Sequence, residues 1–291
     1  MKKLKGAAAY AVEWLQSDHR ASSDKPYIKP SSLAKGCLLY VAFELQGKPK
    51  PPFEARVGRI LSVGTDSHRR LQRGLERACL AQEVFFEIPE YRLHGFCDGI
   101  LYIPPDKAGD ESSAGFWALE FKTAAASEFD KVKAAGMPKE EHVRQAQIYL
   151  WGLREYYGGA IPLKGALIYY ENRDTLDHLA FEIHPDPEAI ADLLARVKTM
   201  LEGLVEDRLP DDVLPPDHWA HAYCPYLDIC EPGQKAMEWQ AAQPKTIPDK
   251  VLADMIAKRI VAKKGAEAMT APKKKQGARS LLELAKDLEW E

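Results

Sequence analysis

The run Trp117-Ala118-Leu119-Glu120-Phe121-Lys122-Thr123 constrains this chain more than any other segment. It largely alternates at the two-residue period of a half-buried strand, which places Glu120 and Lys122 on one face and Trp117, Leu119 and Phe121 on the other. The apolar set packs into a core, so the charged pair points toward solvent or a cleft from a backbone that is held rigidly. A preceding strand is predicted over about residues 92 to 103. It carries Asp98, with Gly95 and Gly99 permitting close backbone approach and a bend. The intervening Pro104 to Gly115 is rich in Pro, Gly, Asp and Ser, so the two strands pair as a hairpin with a loose connection. That pairing sets Asp98 beside Glu120.

Two converging carboxylates suit a hard cation, because Mg2+ or Mn2+ prefers oxygen ligands, retains waters and binds where a substrate phosphate completes its shell. Lys122, on the same face, is placed to orient a water or to stabilise developing negative charge. Glu-x-Lys alone is commonplace on surface strands, so the motif gains meaning only from its surroundings. Glu141 to Tyr157 supplies one of them. It has apolar residues at helical spacing and sets Gln145 and Tyr149 four apart on one helix face.

Taken in order, Gly95-x-x-Asp98, Glu120-x-Lys122 and Gln145-x3-Tyr149 resemble the RecB-like branch of the PD-(D/E)xK nucleases. Upstream, Gly64-Thr65-Asp66-Ser67-His68 is similar to the G-x3-H element that this branch carries on a helix before its core strands. The resemblance spans roughly residues 31 to 230. It implies an α/β (α+β) fold of restriction-endonuclease type, a mixed central sheet flanked by helices. It also implies roles: Asp98 and Glu120 as metal carboxylates, His68 and the Phe121 carbonyl as further ligands, Lys122 as the catalytic lysine, and Gln145 and Tyr149 as cleft residues. One departure is Cys97, which stands where many members carry proline or an apolar residue; a small buried side chain suits the position. Outside these motifs, His68 reads as an exposed helix histidine beside Arg69 and Arg70.

The five cysteines, in a chain whose start does not read as a signal peptide, lead to the expectation of a reducing, cytoplasmic setting, where clustered cysteines bind metal more often than they form disulfides. Cys37 lies near the amino end, and His221-x2-Cys224-x5-Cys230 lies far downstream. This arrangement resembles the split cysteine frame of the iron-sulfur nucleases, including the AddB nuclease domain and the CRISPR-associated RecB-like exonucleases. In that frame one cysteine before the core and three after it, as C-x2-C-x5-C, hold a [4Fe-4S] cluster. Here His221 takes the first place of the trailing trio. Thiolates are the usual cluster ligands, and a Cys3His set also suits tetrahedral Zn2+, so cluster, zinc and an unligated set of thiols stay open. Cys79 and Cys97 fall outside the frame as small packing residues.

A chain of 291 residues with 46% apolar content can bury one sizeable core, and its apolar runs are too short and too interrupted to span a bilayer. The formal net charge of -3 does not advertise nucleic-acid binding. Locally, Arg56, Arg59, Arg69, Arg70, Arg73 and Arg77 crowd the helical region around His68, either as phosphate contacts or as a solvated helix face. Further strands are predicted at Leu163 to Tyr170 and Leu179 to Ile183, and a helix over Asp186 to Val205, opened by Asp186-Pro187-Glu188.

The organisation expected is a nuclease domain over residues 1–240, opening with an amphipathic Leu4 to Leu15 and ending beyond the Pro-rich Leu209 to Asp217. A basic appendage over 241–291 follows, with a short helix from Asp249 to Lys264, the Lys273-Lys274-Lys275 cluster and a leucine-rich Ser280 to Trp290. The function this implies is a metal-dependent DNA nuclease acting on single strands or ends, in recombination, repair or CRISPR-type processing, with a recombination or CRISPR-adaptation protein as a partner. The competing expectation is a catalytically silent DNA-binding or assembly subunit on the same fold.

Overall fold

The computed structural model describes residues 27–51, 55–110, 112–211 and 213–242. The chain divides into two units, Met1–Glu238 and Trp239–Glu291, and the sheet lies in the first. The expected segments at Leu4 to Leu15, Asp249 to Lys264, the lysine cluster and Ser280 to Trp290 fall outside the described residues.

A five-stranded mixed sheet runs in the order β1 (Cys79–Ile88), β2 (Leu93–Ile103), β3 (Gly115–Ala124), β4 (Leu163–Asn172), β5 (His178–Ile183). Every neighbouring pair is antiparallel except β3 with β4, which is parallel. A parallel pair needs a crossover connection, and the helices α4 (Ala126–Ala135) and α5 (Glu140–Tyr156) supply it. Before the sheet come α1 (Pro30–Leu33), α2 (Leu38–Leu45) and α3 (Ala55–Leu75); after it come α6 (Pro187–Val205) and α7 (Glu231–Ala242). Helix α3 packs on β2 and β3, whereas α5 packs on β1, β3 and β4. This is the helix-flanked mixed sheet that the sequence implies, with the β2–β3 hairpin as predicted.

The strand periodicity explains the layering. Trp117, Leu119 and Phe121 are buried as expected, but so are Ala118 and Glu120, because both faces of β3 are covered. Helix α5 comes close enough for Gly152 to sit against the Phe86 ring, where any Cβ would overlap it. Asp186 caps α6 by accepting from the Ala189 N–H at 3.0 Å, with Pro187 in the first turn, as the sequence signal requires.

Two expectations need correction. The helical region carrying the arginines ends at Leu75, so Arg77 stands in the turn that follows it. Strand β1 is an addition to the strands read from the sequence. Its Cys79-Leu80-Ala81 start is apolar without alternation, and only Val84 to Glu87 alternates in burial, a stretch too short to declare a ten-residue strand.

Candidate active site

The ladder between β2 and β3 stops at Gly99 opposite Leu119, and beyond it the two strands separate. Burial along β2 alternates from Leu93 to Cys97 and then changes phase, with Gly99 and Ile100 both buried, so Asp98 sits at the break. At this fork the Phe121 N–H has no backbone acceptor on β2. Asp98 Oδ2 takes it at 2.6 Å, while Asp98 Oδ1 lies 3.5 Å from His68 Nδ1 on α3. Sheet geometry thus brings His68, Asp98 and the Phe121 backbone together. Phe121 enters through its N–H here, and its ring meets the His68 ring edge-on.

Glu120 lies on the α5 side, 3% exposed. Its Oε1 receives Lys122 Nζ at 2.5 Å and Gln145 Nε2 at 2.9 Å. Gln145 also accepts from Lys122 at 2.8 Å and donates to the Tyr149 hydroxyl at 2.8 Å, so the helix spacing sets Tyr149 behind the glutamine that holds the carboxylate. Glu120 Oε2 is buried without a hydrogen-bond partner. An unsatisfied buried carboxylate oxygen is costly, which sets Glu120 apart from the other buried polar side chains of the sheet.

Burial is the main reason that the Glu120 carboxyl rises to about 7; Lys122 pulls it back and the Asp98 charge adds to the rise. His68 moves the other way from its burial: desolvation disfavours its charged form, but the Asp98 carboxylate outweighs that and raises its pKa. The Tyr149 phenol, buried and near Glu120, is held well above its ordinary value and stays protonated. Two carboxylates, a histidine and a lysine therefore lie close together, with Glu120 buried and His68 and Lys122 partly exposed.

Two further pairs adjoin the site and were not read from the sequence. His142, one turn before Gln145, places Nδ1 2.5 Å from the Tyr170 hydroxyl, and Tyr170 is the β4 partner of Lys122. The Lys139 N–H donates to the Tyr170 oxygen at 3.1 Å, so the phenol proton goes to His142. Burial, with Lys122 and Lys139 nearby, drops His142 to about 2 and keeps it neutral. On the other face of β4, the buried Glu171 is paired with Arg70 of α3. The polar Glu171-Asn172 end after the apolar Ala166 to Tyr170 run was the available signal for it.

The second predicted set also converges. Cys37, His221, Cys224 and Cys230 line one cavity of about 30 Å³, together with Lys35 and Tyr40. Burial raises the Cys37 and Cys224 thiols, and each feels the charge of neighbouring cysteines. His221 Nε2 lies 3.1 Å from the Pro215 carbonyl and 3.4 Å from that of Leu214. Both are acceptors, so Nε2 is the ring nitrogen that donates to them. Cys79 is partly buried and Cys97 fully buried, both outside this cavity. Among the described residues, no three His, Cys, Asp or Glu side chains are arranged as a ready cation site, at the fork or in the cavity.

No protein-family model matches the chain. No curated protein sequence matches it either. Solved structures similar to it include SSO0001, at 18% identity and a TM-score of 0.48, covering 79% of this chain and 98% of that one. They also include the alkaline exonuclease LHK-Exo from Laribacter hongkongensis and its complex with dAMP. Each of these stands at 16% identity and a TM-score of 0.44, covering 62% of this chain and 89% of the other. These likenesses are too distant to assign an activity.

Proposed function

We propose that this chain is a divalent-metal-dependent DNA nuclease that hydrolyses phosphodiester bonds, at DNA ends or on single strands. The observation that carries the reading is the buried, unpartnered Oε2 of Glu120, set beside Lys122 and across the hairpin fork from Asp98 and His68. The donor set fits Mg2+ or Mn2+: Asp98, Glu120, His68 and the Phe121 carbonyl would hold it, and oxygen donors predominate as a hard cation requires. When bound, such an ion activates water and neutralises charge on the phosphoryl oxygens.

The chain's own groups do the rest. Gln145 fixes both Glu120 Oε1 and Lys122 Nζ, so the ammonium is aimed before substrate arrives. Lys122 stabilises negative charge developing on the phosphate or orients the attacking water, and Glu120 serves as a metal carboxylate. Tyr149 stays neutral and restrains Gln145. Purified protein should degrade labelled DNA with Mn2+, and Asp98→Ala, Glu120→Ala and Lys122→Ala should each abolish it. Undiminished activity in all three would sink the assignment.

A silent DNA-binding or assembly subunit is the second reading, favoured by one observation: Asp98 Oδ2 and Glu120 Oε1 already hold protein donors. A gel shift independent of divalent ions, with no cleavage product under any metal, decides for it. The Cys37, His221, Cys224 and Cys230 cavity would hold a [4Fe-4S] cluster or Zn2+, with His221 ligating through Nδ1 while its Nε2–H is fixed by carbonyls. Anaerobic absorbance and metal analysis separate cluster, zinc and free thiols. We place the protein in the cytoplasm, serving recombination, repair or CRISPR-type processing beside a protein partner; among the described residues no helix is long and apolar enough to cross a membrane. The division into a 1–240 nuclease domain and a basic 241–291 appendage belongs to the same proposal.

A further inference from the structure

The outer side of β1 and β2 carries aromatic rings that the proposed chemistry does not use. Phe85 and Phe96 are opposite each other on the two strands, 5.2 Å apart between ring centroids, and Phe96 is 52% exposed. Tyr156 meets Phe85 edge-on at 5.8 Å and is 45% exposed, and His94 lies flat on Tyr27 at 4.7 Å. Their strand neighbours Val84, Phe86 and Cys97 are buried on the opposite side, so these rings do not belong to the core.

Position decides what this surface is for. Gln72 of α3 bonds Glu83 on β1 and the Asp98 carbonyl on β2. Phe85 and Phe96 stand two residues from these contacts along the same strands, and Phe96 is exposed there. Phe96 is thus about 7 Å along β2 from Asp98. Exposed Arg73 stands next to Gln72 on the helix that borders this surface, and exposed Arg69, one turn back, pairs with Asp66 at 3.2 Å in a solvent-exposed bridge. The acids on this side have neighbours: Glu83 accepts from Gln72, and Glu87 accepts from the Tyr27 hydroxyl.

We infer that the Phe85–Phe96 surface is a stacking platform for the bases of single-stranded nucleic acid, with Arg69 and Arg73 on the phosphates, leading a strand to the fork at Asp98. Aromatic faces stack any base, so the platform binds without sequence preference, and a duplex, whose bases are already stacked, cannot use it. The inference deepens the nuclease reading by naming the substrate form, and it can be tested apart from cleavage.

The experiment is fluorescence anisotropy of a labelled oligothymidylate with the full-length protein, without added divalent cation. Phe96→Ala should weaken binding by about tenfold or more. Phe96→Trp should restore it, and neither change should alter the slope of affinity against salt. Arg73→Gln should lower that slope by about one unit. Unchanged single-strand binding in Phe96→Ala overturns the platform, as does an equal loss on blunt duplex, which would mean general weakening or a surface meant for protein. Failure of cleavage with binding still dependent on Phe96 would remove the nuclease reading and leave the platform standing.

Discussion

The fork between β2 and β3 draws on residues 68 to 149 and gathers mostly polar side chains, whereas the cavity beneath α2 joins Cys37 to residues 221–230 and is lined largely by apolar side chains. At the fork, strands and one helix hold a buried carboxylate whose every partner is a charged or amide group. In the cavity, an N-cap cysteine meets cysteines and a histidine from two short 3-10 turns and their flanks. The difference teaches where each should fail. Groups on rigid strands can be removed singly with the scaffold intact, so loss there is a loss of chemistry. Groups that tie distant segments together are missed first as stability.

The strongest way to break this contrast is paired substitution. Lys122→Ala should lower DNA cleavage by at least about 10³-fold with little change in melting temperature. Cys224→Ser should lower the melting temperature by several degrees, with activity lost only as folding is lost. A Cys224→Ser protein that melts normally yet cannot cleave would mean the cavity takes part in chemistry. Next in size, Gln145→Ala frees both Lys122 Nζ and Glu120 Oε1 and should cost about 10- to 100-fold in rate, read as kcat more than KM. Tyr149→Phe removes one hydrogen bond from Gln145 and should cost about 1 kcal/mol of stability, seen in urea unfolding.

A smaller effect sharpens the picture of the fork's surroundings. His142 has its folded pKa depressed to about 2 by burial and by the lysines near it. A depressed base lets the unfolded chain bind the proton that the folded chain refuses, so stability is full above the unfolded pKa near 6.5 and falls as pH drops below it. Between pH 7.5 and 5.5 the wild type should lose about 1 kcal/mol more than His142→Asn, which keeps an acceptor for Tyr170 but cannot titrate. Equal losses would show that His142 is not held neutral.

Much of the fork was legible in the chain. Alternation fixed the faces of Glu120 and Lys122, the glycine- and proline-rich 104–115 stretch marked the hairpin, and helical spacing set Gln145 and Tyr149 on one side. Strand β1 was hidden because its first half does not alternate. Glu171 and the Tyr170–His142 bond were hidden because their partners lie 101 and 28 residues away, and no periodicity reports a contact at that distance. The expectation of solvent or a cleft beside Glu120 also understated its burial, since the strand pattern cannot say that α5 will close over it.

By itself, then, the sequence determined which residue types occur, in what order and on which face of each element, because those follow from local backbone periods of two and 3.6 residues. Tertiary structure alone decided that the ladder stops at Gly99, so that Asp98 captures the Phe121 N–H, and that one oxygen of Glu120 is buried with nothing to bond. It also decided that Cys37 meets Cys224 and Cys230 across the chain. The physical reason is common to all three: each depends on how separate elements pack, and a packing contact is set by the shape and solvation of the whole core, not by the neighbours of any one residue.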